Sequence, residues 1–412
     1  MDYHLVFILL WQDVKLPLVQ SQTFDQAQVQ SQFNGDKKPR SVSVWIFTPF
    51  RFLLNEVDQK MIRQLRARCH GVAIRLIPEI NRLNNFPSKW FLKLFKRQHE
   101  NVPTVFHFRG ESSFHHFNQQ FTKRVSDIFV LDVRGYWPAE FLYMEGIEDE
   151  SVIPPGQLAA YNQSVNALIT ALEAADGVIT VSKNLESLLR ELCSGVGQIN
   201  VVPCGVSALH DFSSRNSTRL LLGVSENDTL LVYSGGYARY QHLEDLVVPF
   251  FRLLLSLDSN IKILILSQDV EKIRELVMKE DADGRFIFKT APQAEVANYL
   301  SACDLGFLLR KESLVNRLAQ PVKVGEYLAA GVPVCVEGEV GGVTEKLVTY
   351  GAGISIHIST VPKEHWFAQA ELVLAFLKRN HAHQAQSLAL DYFLWNKNIV
   401  KQREYYSSIF ER

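Results

Sequence analysis

Short apolar runs rich in β-branched residues alternate with helical patterns along most of the chain. Most of the runs are apolar at consecutive positions, which is typical of strands buried on both faces of a parallel sheet. Their alternation with helices predicts an α/β protein with doubly wound, Rossmann-like sheets. The predicted strands are Leu5–Trp11, Ser41–Phe47, Val72–Ile77, Thr104–Phe108, Asp127–Val133, Gly177–Val181, Ile199–Val202, Thr229–Tyr233, Ile261–Leu266, Arg285–Lys289, Leu305–Leu309, Pro333–Val336 and Gly353–Ile356.

The chain is long enough for two such domains. It has 412 residues, which fits two domains of about 150–200 residues each. A strand ends near Pro203–Val206, a polar stretch follows, and a new series of strands begins at Thr229. This pattern predicts a first domain over 1–206 and a second over 207–389, with ligands bound in a cleft that faces the carboxyl ends of the strands.

Charge, cysteine content and hydropathy exclude several classes of protein. The formal net charge is −1, so no overall positive charge favours nucleic acid as a partner. The five cysteines are widely spaced and form no C-x-x-C pair, which argues against a disulfide framework and favours a reducing compartment. His115 and His116 have no third ligand at zinc-like spacing, so no metal site is predicted. No apolar run approaches the roughly 20 residues of a membrane-spanning helix, and we expect a cytoplasmic protein.

Two segments have an unusual composition. Val19–Gln32 is rich in glutamine and serine, which predicts a polar loop or a surface helix. Phe86–Arg97 predicts an amphipathic helix with aromatic residues and interleaved lysines. A helix of this type favours peripheral contact with a membrane surface. The alternative is an ordinary helix that buries its aromatic face on the sheet.

Residues 320–336 read Q-P-V-K-V-G-E-Y-L-A-A-G-V-P-V-C-V and predict a short helix followed by a strand. Pro321 suits the first helical turn, and Gly331 suits the position just after the end of the helix. Lys323 would lie in the first turn, where free backbone N–H groups already favour an anion. Glu326 would share a face with Lys323. The pair suits the diphosphate and ribose of a nucleotide, and it is equally consistent with an ordinary surface ion pair.

The pattern P-x-K-x-x-E-Y-L-A-x-G-x-P-V resembles the donor-binding segment of GT-B fold glycosyltransferases of family 4. The resemblance extends over about residues 176–410 and includes V-V-P-C-G-V at 201–206, Y-S-G-G at 233–236, A-C-D-L-G at 302–306 and G-G at 341–342. It implies a GT-B fold whose closing helix, within 390–412, crosses back to the first domain. It also implies transfer with retention from a nucleotide sugar, without a metal cofactor.

The resemblance assigns roles in the second domain residue by residue. Glu326 matches the second glutamate of the family's E-x7-E motif, and this implies a contact with the ribose. Leu318 stands where the first glutamate is usual, so the family's carboxylate contact to the donor sugar does not carry over to that position. The glycine loop Gly235-Gly236 is followed by Arg239, in the place of a phosphate-binding cation; the alternative is a surface arginine ahead of a helix.

Arg310 is a second candidate for the phosphates, because it follows a predicted strand directly and would lie at the strand's carboxyl end.

Two strands of the first domain end in Arg-Gly, at Arg109 and Arg134, which places a cation at each carboxyl end. The second continues as D-x-R-G-x-W-x-x-E, which resembles a segment of some bacterial surface-polysaccharide enzymes of the same family. The resemblance implies that Arg134 and Glu140 face the reacting sugars and that Trp137 stacks on a sugar ring. The alternative is a buried ion pair that orders the loop. His107 is a candidate for a hydrogen bond to a reacting hydroxyl, or else a satisfied core residue.

Taken together, these motifs predict a glycosyltransferase that moves a sugar from a nucleoside-diphosphate sugar to a glycan or a lipid-linked glycan in surface-polysaccharide synthesis. Two alternatives stay open. One is a GT-B fold protein without catalysis that serves as a binding subunit, which Leu318 favours. The other is a nucleotide-sugar epimerase, against which the Arg-Gly-x-Trp segment favours a transferase with a larger acceptor.

Overall fold

The computed structural model describes residues 2–50, 52, 55–79, 86–98, 101–147, 150–278 and 284–412. The chain divides into two compact units, which are described separately below. The first consists of Met1–Pro138, Ile153–Ser207 and Trp395–Arg412, and the second consists of Ala139–Val152 and Ala208–Leu394.

Two segments belong to a different unit from the one that a simple division of the sequence gives. Ala139–Val152 lies within the predicted range of the first domain but belongs to the second unit. The last part of the first unit begins at Trp395, whereas the sequence division started it at 390. The change of unit after Ser207 lies one residue from the predicted boundary after 206.

Each unit contains one sheet in which all the strand pairs are parallel. In the first unit the strands are β1 (His4–Leu10), β2 (Ser41–Pro49), β3 (Val72–Glu79), β4 (Thr104–Arg109), β5 (Ile128–Val133), β6 (Gly177–Thr180) and β7 (Ile199–Val201). In the second unit they are β8 (Thr229–Ser234), β9 (Ile261–Leu266), β10 (Phe286–Lys289), β11 (Leu305–Leu308), β12 (Val334–Glu337) and β13 (Gly353–Ile356). Every predicted strand is present, with its ends shifted by two residues at most.

The order of the strands is that of doubly wound sheets. It is β3-β2-β1-β4-β5-β6-β7 in the first unit and β10-β9-β8-β11-β12-β13 in the second. The first strand of each unit therefore lies inside its sheet, and β1 pairs with β2 on one side and with β4 on the other. Since all strands point the same way, their carboxyl ends line one edge of each sheet, where ligands bind in such folds.

Helices connect the strands. They are α1 (Trp11–Val14), α2 (Pro17–Val19), α3 (Asp25–Gln32), α4 (Glu56–Arg68), α5 (Phe86–Gln98), α6 (Gly110–Asn118), α7 (Trp137–Met144), α8 (Pro155–Ala174), α9 (Lys183–Leu192), α10 (Arg215–Leu221), α11 (Val248–Leu257), α12 (Val270–Met278), α13 (Gln293–Ser301), α14 (Leu314–Leu318), α15 (Val322–Ala329), α16 (Thr344–Tyr350), α17 (Trp366–Leu377), α18 (Ala382–Leu388) and α19 (Trp395–Phe410). Gly331 follows α15 with a φ of 72°, so it ends that helix as predicted. In the part of the chain that is described, no helix is both long and apolar enough to cross a bilayer.

The prediction that the glutamine-rich segment is a polar loop or a surface helix is wrong. The segment forms α2, a π-helical turn and α3, and Gln22, Gln26 and Gln30 are at most 1% exposed. These three side chains recur every fourth residue and so share one face of the helix. They are satisfied inside the first unit: the Gln402 Oε1 of α19 accepts from Gln26 Nε2 at 2.7 Å and from Gln30 Nε2 at 3.2 Å. Burial of these glutamines is tolerated because their amides find partners.

Helix α5 divides its side chains between the core and the surface. Phe91 and Phe95 pack on the Trp45 ring, with centroids 5.2 and 4.5 Å away. Trp90 is 55% exposed, and the neighbouring Lys93 is exposed as well. The aromatic residues at 91 and 95 therefore belong to the core, while the basic face with Trp90 lies on the surface.

Candidate functional site

The glycine loop of the second unit follows β8 and is fixed on two sides. Tyr233 Oη donates to the Gly236 carbonyl at 2.8 Å, and the Tyr237 N–H donates to Asp269 Oδ2 at 2.9 Å. A Cβ on Gly235 would lie 2.9 Å from the Tyr233 hydroxyl. The loop therefore has no room for a side chain at Gly235, and its backbone is held in place.

Helix α15 is attached to the start of this loop through Tyr327. Its hydroxyl accepts from the Ser234 N–H at 2.8 Å, and the side chain is fully buried. A Cβ on Gly306 in β11 would lie 2.8 Å from the Tyr327 ring, so only glycine lets the ring pass. This role of the tyrosine in the E-Y-L-A motif was missed in the sequence, because nothing local to Tyr327 indicates a partner at 234.

Lys323 and Glu326 form an ion pair on α15, with 2.6 Å between Lys323 Nζ and Glu326 Oε2. Both side chains are partly exposed, at 29% and 17%. The helix begins after Pro321 without a side-chain cap. A polar ligand at this helix start would therefore meet a cation, a carboxylate and free N–H groups together. The pair itself is compatible with a nucleotide site and with an ordinary surface ion pair.

Arg310 lies just beyond the carboxyl end of β11, and its surroundings are aromatic. Its guanidinium lies 5.0 Å from the centre of the Tyr240 ring, and its Nε donates weakly to Gln241 Oε1 at 3.4 Å. Burial lowers its pKa, and its nearest titratable neighbours are the phenols of Tyr240, Tyr233, Tyr327 and Tyr143. Among the described residues Arg310 forms no ion pair with a carboxylate. A half-buried cation without a carboxylate partner is suited to bind an anion.

Arg239 lies in a short 3₁₀ turn after the glycine loop, and it points toward Ala139–Val152, the segment of the second unit that precedes it in sequence. A Cβ on Gly146 would lie 2.8 Å from Arg239 Nη1, and Gly146 has a φ of 87°. Glycine at this position thus lets the guanidinium lie against the backbone. Glu140 belongs to the same segment, while Arg134 belongs to the first unit.

A chain of polar contacts beside Arg310 escaped the sequence analysis. Tyr143 Oη lies 2.9 Å from His242 Nε2, His242 Nδ1 lies 3.2 Å from Asp245, and Asp245 lies 2.5 Å from Lys311 Nζ. His242 is 7% exposed and has a φ of 49°, a left-handed conformation that is uncommon for histidine. Burial would raise the pKa of Asp245, but Lys311 and His242 outweigh it and lower the pKa. The left-handed turn at 242 brings these groups together, and no pattern in the sequence predicts such a turn.

Asp132, near the end of β5, is the centre of a buried charged cluster in the first unit. Arg134 Nε lies 2.8 Å from both of its oxygens, His107 Nε2 lies 3.1 Å from Oδ2, and Arg109 Nη1 lies 3.8 Å from Oδ2. Burial alone would raise the pKa of Asp132, but Arg134, His107 and Arg109 hold it well below its usual range. Asp132 is therefore an anion at all ordinary pH values.

His107 is 2% exposed, and its Nε2 lies 3.1 Å from Asp132 Oδ2 without hydrogen-bond geometry. Its Nδ1 lies 2.8 Å from the Tyr406 hydroxyl of α19. Burial raises the pKa of Tyr406 well above its usual range, so the phenol stays protonated. The protonated phenol can donate to Nδ1, which fits the tautomer that carries its proton on Nε2, facing the ionised Asp132. This geometry favours the core-residue interpretation of His107, since neither nitrogen is open to a substrate.

Asp13 and Glu111 are two further candidates that the sequence analysis missed. Asp13 follows β1 and Glu111 follows β4, so both lie at the edge formed by the carboxyl ends of neighbouring strands. Burial raises the pKa of each carboxyl group. Their position directly after strands was a usable signal. Among the described residues, no group of three or more side chains could hold a metal ion.

Comparison with known proteins gives matches in structure only. No protein-family model and no curated protein sequence matches the chain. A glycosyltransferase from Rickettsia africae covers 100% of this chain, with 99% of its own length, at 13% identity and a TM-score of 0.65. HepE of Anabaena, solved with UDP-glucose, covers 98% of this chain and 99% of its own at 12% identity and a TM-score of 0.68. Sucrose-phosphate synthase from Thermosynechococcus elongatus covers 99% of both chains at 16% identity and a TM-score of 0.65.

These matches extend over nearly the whole chain and include both sheets. The fold is therefore that of GT-B glycosyltransferases, and the predicted fold class is confirmed. Membership of family 4 stays a prediction, because the identities are too low to indicate more than a shared fold.

Proposed function

We propose that the chain is a glycosyltransferase that moves a sugar, with retention, from a nucleoside-diphosphate sugar to a glycan or lipid-linked glycan acceptor in surface-polysaccharide synthesis. The observation that carries the proposal is Arg310, a half-buried cation with no carboxylate partner among the described residues. It lies at the carboxyl end of a strand, which is where this fold binds ligands. HepE, which shares the fold, was solved with UDP-glucose and with UDP.

The donor site rests on the second unit. Arg310, Arg239 and Lys323 supply the cations for the diphosphate, and Gly235-Gly236 allows it to approach the backbone. Glu326, 2.6 Å from Lys323 Nζ, would hold the ribose hydroxyls. During transfer the bond between the sugar's anomeric carbon and the diphosphate oxygen breaks, and its electron pair stays on that oxygen. The cations stabilise this developing charge, which is the largest contribution that such a site makes to the rate.

The acceptor supplies a hydroxyl oxygen, which bonds to the anomeric carbon, and its proton passes to the departing diphosphate oxygen. We assign acceptor binding to Arg134 and Trp137 of the first unit, and a contact of Glu140 with a sugar stays a prediction from the sequence. Trp137 is 46% exposed and offers a ring face for a sugar. Arg134 is held by Asp132, so its orientation is fixed before a ligand arrives. No residue is assigned as a metal ligand, and we expect the rate to be unchanged when EDTA is added.

The basic surface of α5 supports peripheral contact with the inner face of the cell membrane. Lys89, Lys93 and Arg97 are exposed and recur every fourth residue, and Trp90 beside them is 55% exposed. A tryptophan flanked by cations suits the headgroup region of an anionic bilayer. Sedimentation with vesicles tests this directly. We expect binding that needs anionic lipid and is lost in a Trp90→Ala, Lys93→Glu variant. Equal binding of the variant and the wild type would contradict the proposed membrane contact of α5.

The proposed donor site is tested by calorimetry of the full chain with UDP, GDP, ADP and CMP. One nucleotide should bind, with affinity reduced at least about tenfold in Arg310→Gln and in Lys323→Ala. Arg274→Gln is a matched control, because Arg274 lies on α12, pairs with Glu271 and packs over the Phe288 ring. Binding that survives both substitutions would place the donor elsewhere, and no binding at all would favour a non-catalytic binding subunit. For a nucleotide sugar that is turned over, the anomeric proton in the NMR spectrum of the first product reports retention or inversion.

A further inference from the structure

The two Arg-Gly strand ends of the first unit lie side by side. Strands β4 and β5 are neighbours, and Arg109 pairs in register with Asp132. Arg134 follows two residues later, so both guanidinium groups reach the same carboxylate, at 2.8 Å for Arg134 Nε and 3.8 Å for Arg109 Nη1. The side chains of Arg134 and Arg109 are only 8% and 13% exposed. Two buried guanidinium groups thus share one carboxylate.

One carboxylate balances the charge of only one guanidinium group, so Asp132 leaves one of the two positive charges uncompensated. Burial lowers the pKa of Arg109, and the charge of Arg134 beside it lowers the pKa further. The other groups near the two arginines are the Cys204 thiol, whose pKa is raised by burial so that it stays uncharged, and the Asp13 carboxyl group, whose negative charge raises the pKa of Arg109. The thiol lies 3.9 Å from Arg134 Nη1 and is a weak acceptor.

Each arginine also presents a donor that no protein group accepts. Among the described residues, Arg134 Nη2 and Arg109 Nη1 are buried and have no hydrogen-bond partner. Unpaired donors of buried charged groups are rare, because burial without a partner is costly. His107 lies beside Asp132 and is hydrogen-bonded to Tyr406, so neither residue accepts a hydrogen bond from the two arginines. The unpaired donors point to a ligand that is itself an acceptor.

The backbone beside Arg109 is arranged for the same kind of ligand. Helix α6 has nine residues and begins at Gly110, directly after Arg109, whose side chain does not cap it. Glu111 in the first turn accepts from its own backbone N–H, while the remaining first-turn N–H groups and the positive end of the helix dipole favour an anion. Gly110 has a φ of 76°, and a Cβ there would meet no atom within 4 Å. A ligand can approach the helix start from this open side.

We infer that Arg109, Arg134 and the first turn of α6 bind an anionic oxygen group of the acceptor, either a phosphoryl group or a carboxylate. The planar forks of two guanidinium groups match such a group in a bidentate manner, whereas a neutral sugar hydroxyl accepts too few hydrogen bonds to satisfy them. The identification of the ligand as the acceptor rests on the proposed function. The binding of the anion does not.

The experiment follows the arginine side chains of the full chain directly. The protein is labelled with ¹⁵N-arginine, the Nε–H signals of Arg109 and Arg134 are assigned with Arg109→Lys and Arg134→Lys, and inorganic phosphate or acetate is added. We expect both signals to shift and to saturate together. A preference for phosphate of tenfold or more would identify a phosphoryl group, and a preference for acetate a carboxylate. Arg134→Lys should weaken binding at least tenfold, because it removes the fork and keeps the charge, while Arg274→Gln should leave it unchanged.

The same titration in the Arg310→Gln protein separates this site from the donor site. Shifts of Arg109 and Arg134 that persist there support an independent anion site even if no nucleotide binds to the second unit. Signals that do not move, or that move linearly without saturation, overturn the inference. Circular dichroism of Arg134→Lys guards against misfolding, and if that variant is unfolded, Arg109→Lys must show the same tenfold loss.

Discussion

At the scale of single residues, two buried arginines differ in what surrounds them. Arg134 has a carboxylate 2.8 Å away, and although burial alone would lower its pKa, Asp132 raises the pKa above the ordinary value. Arg310 has phenols and the Gln241 amide nearby but no carboxylate among the described residues, and burial lowers its pKa. The first arginine is fixed by the protein itself, while the second gains its counter-ion only when an anion binds.

Removal of the charge at 310 should therefore weaken binding without weakening the fold. We expect Arg310→Leu to leave the free energy of unfolding unchanged or to raise it by about 1 kcal/mol, because a half-buried charge without a carboxylate partner is replaced by an apolar side chain. Nucleotide affinity should fall at least about tenfold in the same protein. Urea denaturation and calorimetry give the two quantities. A loss of more than about 2 kcal/mol would mean that Arg310 is a structural residue.

Asp132→Asn should have the opposite effect on stability. It leaves Arg134 buried without its counter-ion, which costs about 3–5 kcal/mol. The lowered pKa of Asp132 also fixes the sign of the pH dependence. Its contribution is fully present above the ordinary pKa of an aspartate, about 3.9, and is lost as the pH falls toward the lower pKa of the folded state.

The test is urea denaturation between about pH 2.5 and pH 7, where the free energy of unfolding should decline less steeply with acid in Asp132→Asn than in the wild type. Asp2→Asn serves as a control, because Asp2 is 62% exposed. Identical slopes for Asp132→Asn and the wild type would show that this carboxylate is not ionised in the way we describe.

At the scale of helices and strands, side chains join elements that are distant in the sequence. Tyr327 connects α15 to the glycine loop after β8, and Gln402 connects α19 to α3. In both cases a buried polar group of one element satisfies a donor of the other, and this fixes the position of the elements more narrowly than apolar packing alone.

The contact of Tyr327 can be removed without a change of shape. Tyr327→Phe leaves the Ser234 N–H buried without its acceptor, and we expect about 1–3 kcal/mol of destabilisation. Because the glycine loop starts at Ser234, nucleotide affinity should fall several-fold as well. Tyr350→Phe is the control, since Tyr350 is 39% exposed. A loss of stability with unchanged nucleotide affinity would show that the glycine loop takes no part in donor binding.

Gln402→Leu should destabilise the first unit by about 2–4 kcal/mol, because it removes the acceptor of two buried amide donors at once. Gln28→Leu, on the same helix as the buried glutamines but partly exposed, should change the free energy of unfolding by less than about 0.5 kcal/mol. Thermal denaturation followed by circular dichroism compares them. Equal effects of the two substitutions would contradict the role given to Gln402.

The same elements show which features could be predicted from the sequence and which could not. The strands were predictable because continuous apolar runs such as His4–Leu10 have few other uses in a chain of this composition. Arg310 and Lys323 were predictable because they follow a strand or open a helix. The burial of Gln30 was not, since its partners at 402 and 403 are more than 370 residues away. Nor was the contact between Tyr143 and His242, which depends on a left-handed turn.

At the scale of the whole molecule, the chain changes unit four times, after Pro138, Val152, Ser207 and Leu394. The sequence predicted only two changes, near 206 and near 390. The additional exchange brings Ala139–Val152 into the second unit, where Tyr143 contacts His242 and Gly146 lies against Arg239. A segment that lies between parts of the first unit in the sequence therefore contributes to the proposed donor site.

Hydrogen exchange can locate this contribution. With a bound nucleoside diphosphate at about 100 times its Kd, the second unit gains about 2.7 kcal/mol of stability. Slower exchange should appear in the glycine loop, in α15 and also in the peptide that contains Tyr143 and Gly146. Tyr327 holds α15 to the start of the loop, Tyr143 contacts His242, and Gly146 lies against Arg239. Inorganic phosphate should in addition protect the start of α6 in the first unit. Protection of the glycine loop without protection of 139–147 would show that this segment packs on the second unit but takes no part in the donor site.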